Sequence, residues 1–150
     1  MIRIIAVGKK HESWVAEGIE RYQKRLKRPF DIEWVFLPHS PAQGDQARQD
    51  ESERIISRLK DDHVVLLDER GKLIDSPALS KLLLVPLESS RLVTVIIGGA
   101  YGVTDMLRQR ADVVWSLSPL VFPHQLVRLI LTEQLYRAQE IAAGGPYHHS

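Results

Sequence analysis

LVTVIIGGAYGVTDMLRQRADVVWSLSPLVFPH, residues 92–124, is the stretch that decides the fold. It contains two apolar, mostly β-branched runs, 92–97 and 113–117, and each run is followed by a loop that contains glycine or proline. A polar segment with Thr104 placed to cap a helix lies between them. Runs that are apolar throughout are typical of strands buried on both faces of a parallel sheet. The stretch therefore predicts a strand–helix–strand unit of an α/β fold.

The same alternation extends over the rest of the chain. Further strands are predicted at 2–7, 32–37 and 64–67, where short apolar runs are bounded by turn residues. Helices are predicted over about 13–27, over a polar segment that ends near residue 60, over 76–85 and over 123–143. Residues 38–50 are predicted to form a loop because they are rich in Pro, Ser, Gly and Asp. The 150 residues contain no visible linker and are expected to form one domain, 1–150.

Composition excludes several classes of protein. The chain has no cysteine, so a disulfide framework, a thiol nucleophile and a zinc–thiolate site are excluded. Its apolar runs fall well short of the ~20 residues that span a bilayer. We expect a cytoplasmic protein without a membrane partner. Lys and Arg number 20 against 19 Asp and Glu, so the net charge of +1 does not by itself indicate a nucleic-acid binder.

The distribution of charge is more informative than its sum. Basic residues predominate between residues 9 and 28, and on the predicted first helix Arg21, Lys24 and Arg25 lie largely opposite the apolar stripe. Such a surface is able to bind a phosphate backbone. A solvated helix face is the alternative, and the sequence does not distinguish the two.

Three loops that follow predicted strands are candidates for ligand binding, because ligands of open α/β sheets bind at the carboxyl ends of strands. They are 67–72, 97–102 and 116–124. Glycines such as Gly98 and Gly99 permit a close approach of ligand to backbone, although they also serve packing in strand-to-helix turns. The G-x-G-x-x-G and Walker A patterns are missing, which disfavours a Rossmann dehydrogenase and a P-loop kinase. In the third loop Pro119 and Pro123 bracket apolar residues that form either core or a slot for a flat heterocycle.

The end of the chain carries two further features. The last predicted helix is apolar around much of its circumference, which predicts burial on more than one side and a homodimer through this helix. The tail after Gly144 contains Tyr147, His148 and His149, which offer acid–base and hydrogen-bonding groups near neutral pH. A metal site is not expected there, because no carboxylate lies beside the histidines at ligand spacing.

Taken together, these segments resemble the RlmH family, SPOUT-class methyltransferases of large-subunit ribosomal RNA. The resemblance covers nearly the whole chain, and its motifs are weak singly but specific in this order. They are Ile5-Ala6-Val7-Gly8-Lys9, Leu66-Leu67-Asp68 with Gly71-Lys72, Ile97-Gly98-Gly99 with Gly102, Trp115-Ser116-Leu117-Ser118, Phe122-Pro123-His124, Leu126-Val127-Arg128, Glu133-Gln134-Leu135-Tyr136-Arg137-Ala138 and Pro146-Tyr147-His148.

The resemblance implies a parallel sheet flanked by helices, with a C-terminal trefoil knot whose loops bind S-adenosylmethionine. It also implies methyl transfer to N3 of a pseudouridine in large-subunit ribosomal RNA, on the assembled ribosome. The residues that it implies for the cofactor are Leu67, Gly98, Leu117, Ser118, Pro119, Leu120, Val121 and Phe122.

For the tail, we expect Tyr147 and His148 to be the catalytic element, placed over the cofactor of the partner subunit. Arg128 and His149 are expected to contact RNA together with the basic face of the first helix. His149 stands where the family usually has Arg or Lys, which makes a cationic contribution of the tail pH-dependent. A non-catalytic ribosome-associated assembly factor with the same fold is the alternative, and it predicts no binding of S-adenosylmethionine.

Overall fold

The computed structural model describes residues 1–149 as alternating strands and helices. Ser150 lies outside the described residues. In chain order the elements are β1 (Ile2–Val7), α1 (Ser13–Gln23), β2 (Ile32–Leu37), α2 (Gly44–Ile56), β3 (His63–Leu73), α3 (Ser76–Glu88), β4 (Val93–Ile97), α4 (Asp105–Arg110), β5 (Val113–Ser116) and α5 (His124–Ala142).

The five strands form one parallel sheet with the order β2-β1-β4-β3-β5. Successive residues of β4 are buried in different clusters: Val95 packs with α3 and α5 on one face, and Ile96 packs with α2 and α4 on the other. The sheet is therefore covered by helices on both faces, which explains why its strands are apolar throughout. The predicted α/β class and parallel sheet are confirmed, and the trefoil knot stays a prediction. In the described part of the chain, no helix combines the length and apolarity needed to cross a membrane.

The first helix is shorter than predicted. It ends at Gln23, and residues 24–28 form a turn before Pro29. The side chain of Gln139 on α5 holds this turn, because its Oε1 accepts from Lys27 N at 2.7 Å and its Nε2 donates to Arg25 O at 3.1 Å. Lys24 and Arg25 consequently lie beyond the helix rather than on its face.

Residues 38–50 do not form the long loop that was predicted. Helix α2 begins at Gly44, so only 38–43 is irregular. The side chains of Asp50 and Glu51 on α2 accept hydrogen bonds from Ser40 Oγ at 2.8 Å and Ser40 N at 2.9 Å. The polar residues of α2 thus bind the loop that precedes the helix. Local composition does not reveal this contact.

Strand β3 extends well beyond the predicted 64–67. Its pairing with β5 is interrupted after Leu67 and resumes at Lys72, so residues 68–71 form an excursion within the strand. The loop predicted over 67–72 is therefore wrong: all of these residues belong to β3, and Leu67 and Lys72 both pair with Trp115.

The N-cap and the end of α3 differ from what the sequence predicts, since Ser76-Pro77 suggests Ser76 as the N-cap and Val85-Pro86 suggests an end at Val85. Asp75, not Ser76, caps the helix, and its side chain accepts from Ala78 N at 2.9 Å. The helix continues past Val85 to Glu88 with Pro86 inside it. A proline so close to the end of a helix removes one donor, and Pro86 is buried.

Candidate functional site

One large cavity lies at the carboxyl edge of the sheet. It encloses about 1110 Å³ and is lined by residues that follow all five strands: the turn after β1, His39 after β2, the β3 excursion and the loops after β4 and β5. The first turns of α5 form another part of its wall. This position agrees with the general rule for open α/β sheets.

The glycine loop after β4 forms the middle of the cavity wall. Gly102 N donates to Gly99 O at 3.1 Å, and Gly102 has a φ of 77°, a conformation that glycine adopts without strain. Thr104 caps α4, as predicted, by accepting from Leu107 N at 3.3 Å. Ser52 on α2 fixes the loop from behind, because its Oγ accepts from Thr104 N at 3.0 Å.

The proline loop after β5 supplies the apolar part of the cavity. Ser118 holds the loop in shape: its carbonyl accepts from Ser116 Oγ at 3.1 Å, and its Oγ accepts from Leu120 N at 3.0 Å. Leu120 and Val121 are 69% and 82% exposed. Exposed apolar side chains at a cavity indicate a face that an apolar ligand would cover.

Seven of the eight residues predicted for the cofactor line the cavity, and Pro119 is not among the lining residues. The seven are Leu67, Gly98, Leu117, Ser118, Leu120, Val121 and Phe122.

The β3 excursion is tied to the helix that follows the glycine loop. Asp68 accepts from Arg108 Nε at 3.0 Å, and Arg108 also pairs with Asp105 at 2.7 Å. Asp68 further accepts from Arg70 N at 3.0 Å, which closes the excursion on itself. The two neighbouring cavity walls are therefore braced against each other.

The first turns of α5 hold the turn after β1. Arg128 is 1% exposed; its Nη1 donates to Lys9 O at 2.8 Å, and its guanidinium lies over the ring of Phe36 at 5.3 Å. Gln125 Oε1 accepts from Glu12 N at 3.0 Å. Arg128 lines the cavity, but its burial does not fit the RNA contact predicted for it: it joins α5 to the β1–α1 turn.

Two histidines beside Arg128 are held in the neutral form. Burial, together with the positive charge of Arg128, lowers the pKa of His124 from 6.5 to about 4. Burial and the same charge also lower the pKa of His11 from 6.5 to about 4. The His11 ring lies edge-on to Trp34 and Phe36, with centroids 4.4 and 5.1 Å away.

A histidine and a carboxylate face each other where the loop after β2 meets the cavity. His39 Nδ1 lies 3.7 Å from Glu51 Oε2, and His39 is exposed whereas Glu51 is only 4% exposed. Glu51 Oε1 finds no hydrogen-bond partner within residues 1–149. A Cβ on Gly99 would lie 2.5 Å from this oxygen, so the carboxylate packs directly against the glycine loop.

The tail folds against its own α5, outside the lining of this cavity. Tyr147 Oη donates to Glu133 Oε1 at 3.0 Å, and Arg137 lies 4.8 Å above the Tyr147 ring. Arg137 Nη1 is 3.1 Å from His148 Nδ1. Burial and the hydrogen bond to Glu133 raise the pKa of Tyr147. Within one chain, therefore, the predicted catalytic residues and the predicted cofactor residues are apart.

Four of the five residues predicted to bind RNA are exposed. Arg21, Lys24 and Arg25 are exposed at the end of α1, His149 is exposed on the tail, and Arg128 is buried. Within residues 1–149, no group of three or more His, Cys, Asp or Glu side chains is arranged to hold a metal ion.

Sequence reasoning missed one side of the cavity. Gly8, Lys9 and His39 follow β1 and β2, and they line the cavity as the predicted loops do. Ligands bind at the carboxyl ends of parallel strands, and this rule was applied only to the loops after β3, β4 and β5. Applied to β1 and β2 as well, it identifies these residues. The contribution of the first turns of α5 has no comparable signal, because it depends on how that helix returns over the sheet.

Comparisons with known proteins agree with this geometry. The family model described as "Predicted SPOUT methyltransferase" matches residues 1–148. Ribosomal RNA large subunit methyltransferase H of Alkalilimnicola ehrlichii is 41% identical over 153 residues, covering 99% of each chain. The protein of the same name from a Synechococcus strain is 45% identical over 149 residues, covering 99% of this chain and 95% of its own. A solved structure from Neisseria gonorrhoeae, described as a methylase family protein, has a TM-score of 0.56 at 14% identity, covering 99% of this chain and 85% of that chain, and shows similarity of fold.

Proposed function

This chain belongs to the SPOUT methyltransferase family, and from that membership and its cavity we propose that it uses S-adenosylmethionine to methylate N3 of a pseudouridine in large-subunit ribosomal RNA. The observation that carries the proposal is the convergence of the glycine loop and the proline loop on one cavity. The names of the relatives support ribosomal RNA as the substrate class.

The residues present fit the cofactor. Leu120 and Val121 present apolar side chains that an adenine ring would cover. Gly98 lines the cavity and has no side chain, so a ligand is able to approach its backbone closely. When bound, S-adenosylmethionine supplies a methyl group on a positively charged sulfur. The chain contributes position: methyl transfer from sulfonium depends mainly on alignment of donor and acceptor.

The substrate adds one chemical requirement. N3 of a pseudouridine carries a proton that must leave as the methyl group arrives, so a nearby base accelerates the reaction. The target base must also leave its stacked position to reach the cavity. A volume of about 1110 Å³ exceeds most single-ligand pockets, which hold roughly 300–1000 Å³, and this leaves room for a base beside the cofactor.

A homodimer through α5 brings the separated parts of the site together. Helix α5 packs on α1 and α3 of its own chain, which already accounts for part of its apolar surface. An apolar groove remains, lined by Gly18, Tyr22, Leu126, Leu129 and Ile130 with Arg21 and Glu133 at its edge. Since Glu133 also binds Tyr147, the tail lies beside this groove. A second copy docked there receives the tail, and Tyr147 and His148 then close the cavity of the partner.

Exposed basic side chains bind the RNA on the ribosome. Arg21, Lys24 and Arg25 remain candidates because all three are exposed, and His149 lies at the end of the tail. Lys9 and Lys10 are exposed at the cavity itself and join them. Contacts of this kind give binding that weakens as salt rises.

Two measurements test the proposal. Calorimetry with S-adenosylmethionine should show one site per chain, whereas a non-catalytic assembly factor would bind none. Methyl transfer should then be compared on free ribosomal RNA, isolated large subunits and whole ribosomes from a strain that lacks the enzyme, with the modified base located by mass spectrometry. We expect the methyl group on N3 of a pseudouridine and the highest rate on whole ribosomes. Binding without transfer to any of the three substrates would favour the assembly factor.

A further inference from the structure

We propose that His39, held by the buried carboxylate of Glu51, takes the proton from N3 of the target base. This inference rests on the proposed function and identifies the base that the reaction requires. It places that base in the part of the cavity wall that follows β2.

The order of the strands separates two halves of the cavity. The loops that fit the cofactor follow β4, β3 and β5, which are neighbours in the strand order. Strands β1 and β2 form the other lateral half of the sheet. The loop after β2 still lies close to the glycine loop, because Glu51 contacts both: its Oε2 is 3.7 Å from His39 Nδ1, and a Cβ on Gly99 would lie 2.5 Å from its Oε1. A cofactor on the β4–β3–β5 side leaves the β1–β2 side for the base, and His39 is on that side.

Glu51 connects the two halves. Its Oε2 accepts from Ser40 N at 2.9 Å and faces His39 Nδ1 at 3.7 Å, while its Oε1 packs against Gly99. A nine-tenths-buried carboxylate oxygen without a partner in the described residues is costly. A positive charge that forms on His39 during the reaction would offset this cost, because the carboxylate stabilises the imidazolium.

The orientation of His39 suits a proton acceptor. Its Nδ1 faces Glu51, so its Nε2 is the nitrogen available to a ligand; a Cβ on Gly8 would lie 2.8 Å from that Nε2. Gly8 has a φ of 122° and no side chain, which keeps the approach open. A separation of 3.7 Å is long for a hydrogen bond, and such contacts commonly shorten when substrate binds.

Other imidazoles in the described residues suit the task less well. His124 lines the same cavity, but burial and Arg128 keep it a weak base. His148 lies 3.1 Å from the guanidinium of Arg137 and outside the cavity of its own chain.

The step balances without any further reactant. The N3–H bond breaks and its proton passes to His39 Nε2. The N3 electron pair forms the N3–CH3 bond, and the S–CH3 bond breaks with its electrons remaining on sulfur as a neutral thioether. The imidazolium then returns its proton to water.

Chemical rescue tests the assignment in the full-length protein. His39 is exposed, so His39→Ala should fold; we expect kcat on ribosomes to fall roughly 10²-fold, with affinity for S-adenosylmethionine, measured by calorimetry, unchanged. Added imidazole should restore much of the loss. Glu51→Gln should lower kcat less and should not respond to imidazole, because Glu51 positions the base.

His63→Ala is the matched control, since His63 faces Asp112 at 3.9 Å at the other edge of the sheet; it should keep wild-type activity and show no rescue. Full activity of His39→Ala, or rescue of His148→Ala instead, overturns the assignment of His39 alone. A wild-type chain that methylates none of the ribosomal substrates overturns the proposed function and this inference together.

Discussion

Arg128 shows how one side chain determines the chemistry of its neighbours. Its guanidinium is buried at the base of the cavity and donates to the carbonyl of Lys9. Burial lowers the pKa of Arg128 itself, although Glu12 acts in the opposite sense. Beside this charge His11 and His124 stay neutral. A residue that the sequence suggested as an RNA contact is thus buried in the structure, where it donates to the β1–α1 turn.

This arrangement predicts a pH dependence of folding stability. The pKa of His11 and that of His124 are about 4 in the folded chain and near 6.5 in an unfolded one. Between these values the unfolded chain binds protons that the folded chain does not bind. The free energy of unfolding should therefore fall as pH decreases from 6.5 to 4. Urea denaturation at pH 7 and at pH 4.5 measures the difference.

Variants at the two histidines identify the source of that dependence. His124→Gln and His11→Gln should each flatten the decrease between pH 7 and pH 4.5, because glutamine does not titrate. Unchanged slopes in both variants would mean that other groups, such as His63, whose pKa burial also lowers, cause the effect.

At the scale of elements, the β3 excursion is the feature that links fold to site. Residues 68–71 leave the ladder with β5 between Leu67 and Lys72 and place Asp68 against Arg108. The polar residues in this segment indicated a loop, whereas the structure has them as an irregular part of β3. The return of the strand to β5 was not predictable, because it depends on a partner more than 40 residues along the chain.

Gly71 is the position that permits this return, and it yields a prediction about stability. A Cβ at Gly71 would lie 2.5 Å from the carbonyl oxygen of Val114 and 2.7 Å from Trp115 N, both backbone atoms of β5. Gly71→Ala must push the two strands apart, and we expect a loss of about 3 kcal/mol in the free energy of unfolding. Chemical denaturation measures the loss.

Gly44→Ala is the matched substitution for this test. Gly44 has a φ of 59° but no atom near its absent Cβ, so only the backbone cost of about 1 kcal/mol is expected. Equal losses in the two variants would show that contact with β5 does not restrict residue 71.

At the scale of the whole molecule, the sequence indicated the class of fold but not the arrangement of its parts. All five strands were predictable from apolar runs bounded by turn residues. A strand that is buried on both faces is apolar throughout, and this pattern is visible in the local sequence. The strand order, the packing of α5 on α1 and α3, and the pairing of Glu51 with His39 depend on residues far apart in the chain. Seven cofactor positions were predictable because a family motif carries them, whereas His39 and Glu51 belong to no motif that we identified.

The separation of tail and cavity within one chain predicts that each site is shared between two subunits. A chain that ends at Gly145 keeps the cavity and lacks the tail. A chain with Leu120→Asp and Val121→Asp keeps the tail, and because both positions are exposed it should fold, but charges in the apolar part of the cavity should abolish cofactor binding. Each variant alone should be inactive on ribosomes.

Mixing the two variants with exchange of subunits decides between the arrangements. If the tail of one subunit serves the cavity of the other, half of the dimers contain one intact site, and roughly a quarter of wild-type activity should return. If the tail serves its own cavity, no subunit in the mixture has both parts, and activity stays at the level of the variants. An active truncated chain would instead show that Tyr147 and His148 are dispensable for methyl transfer.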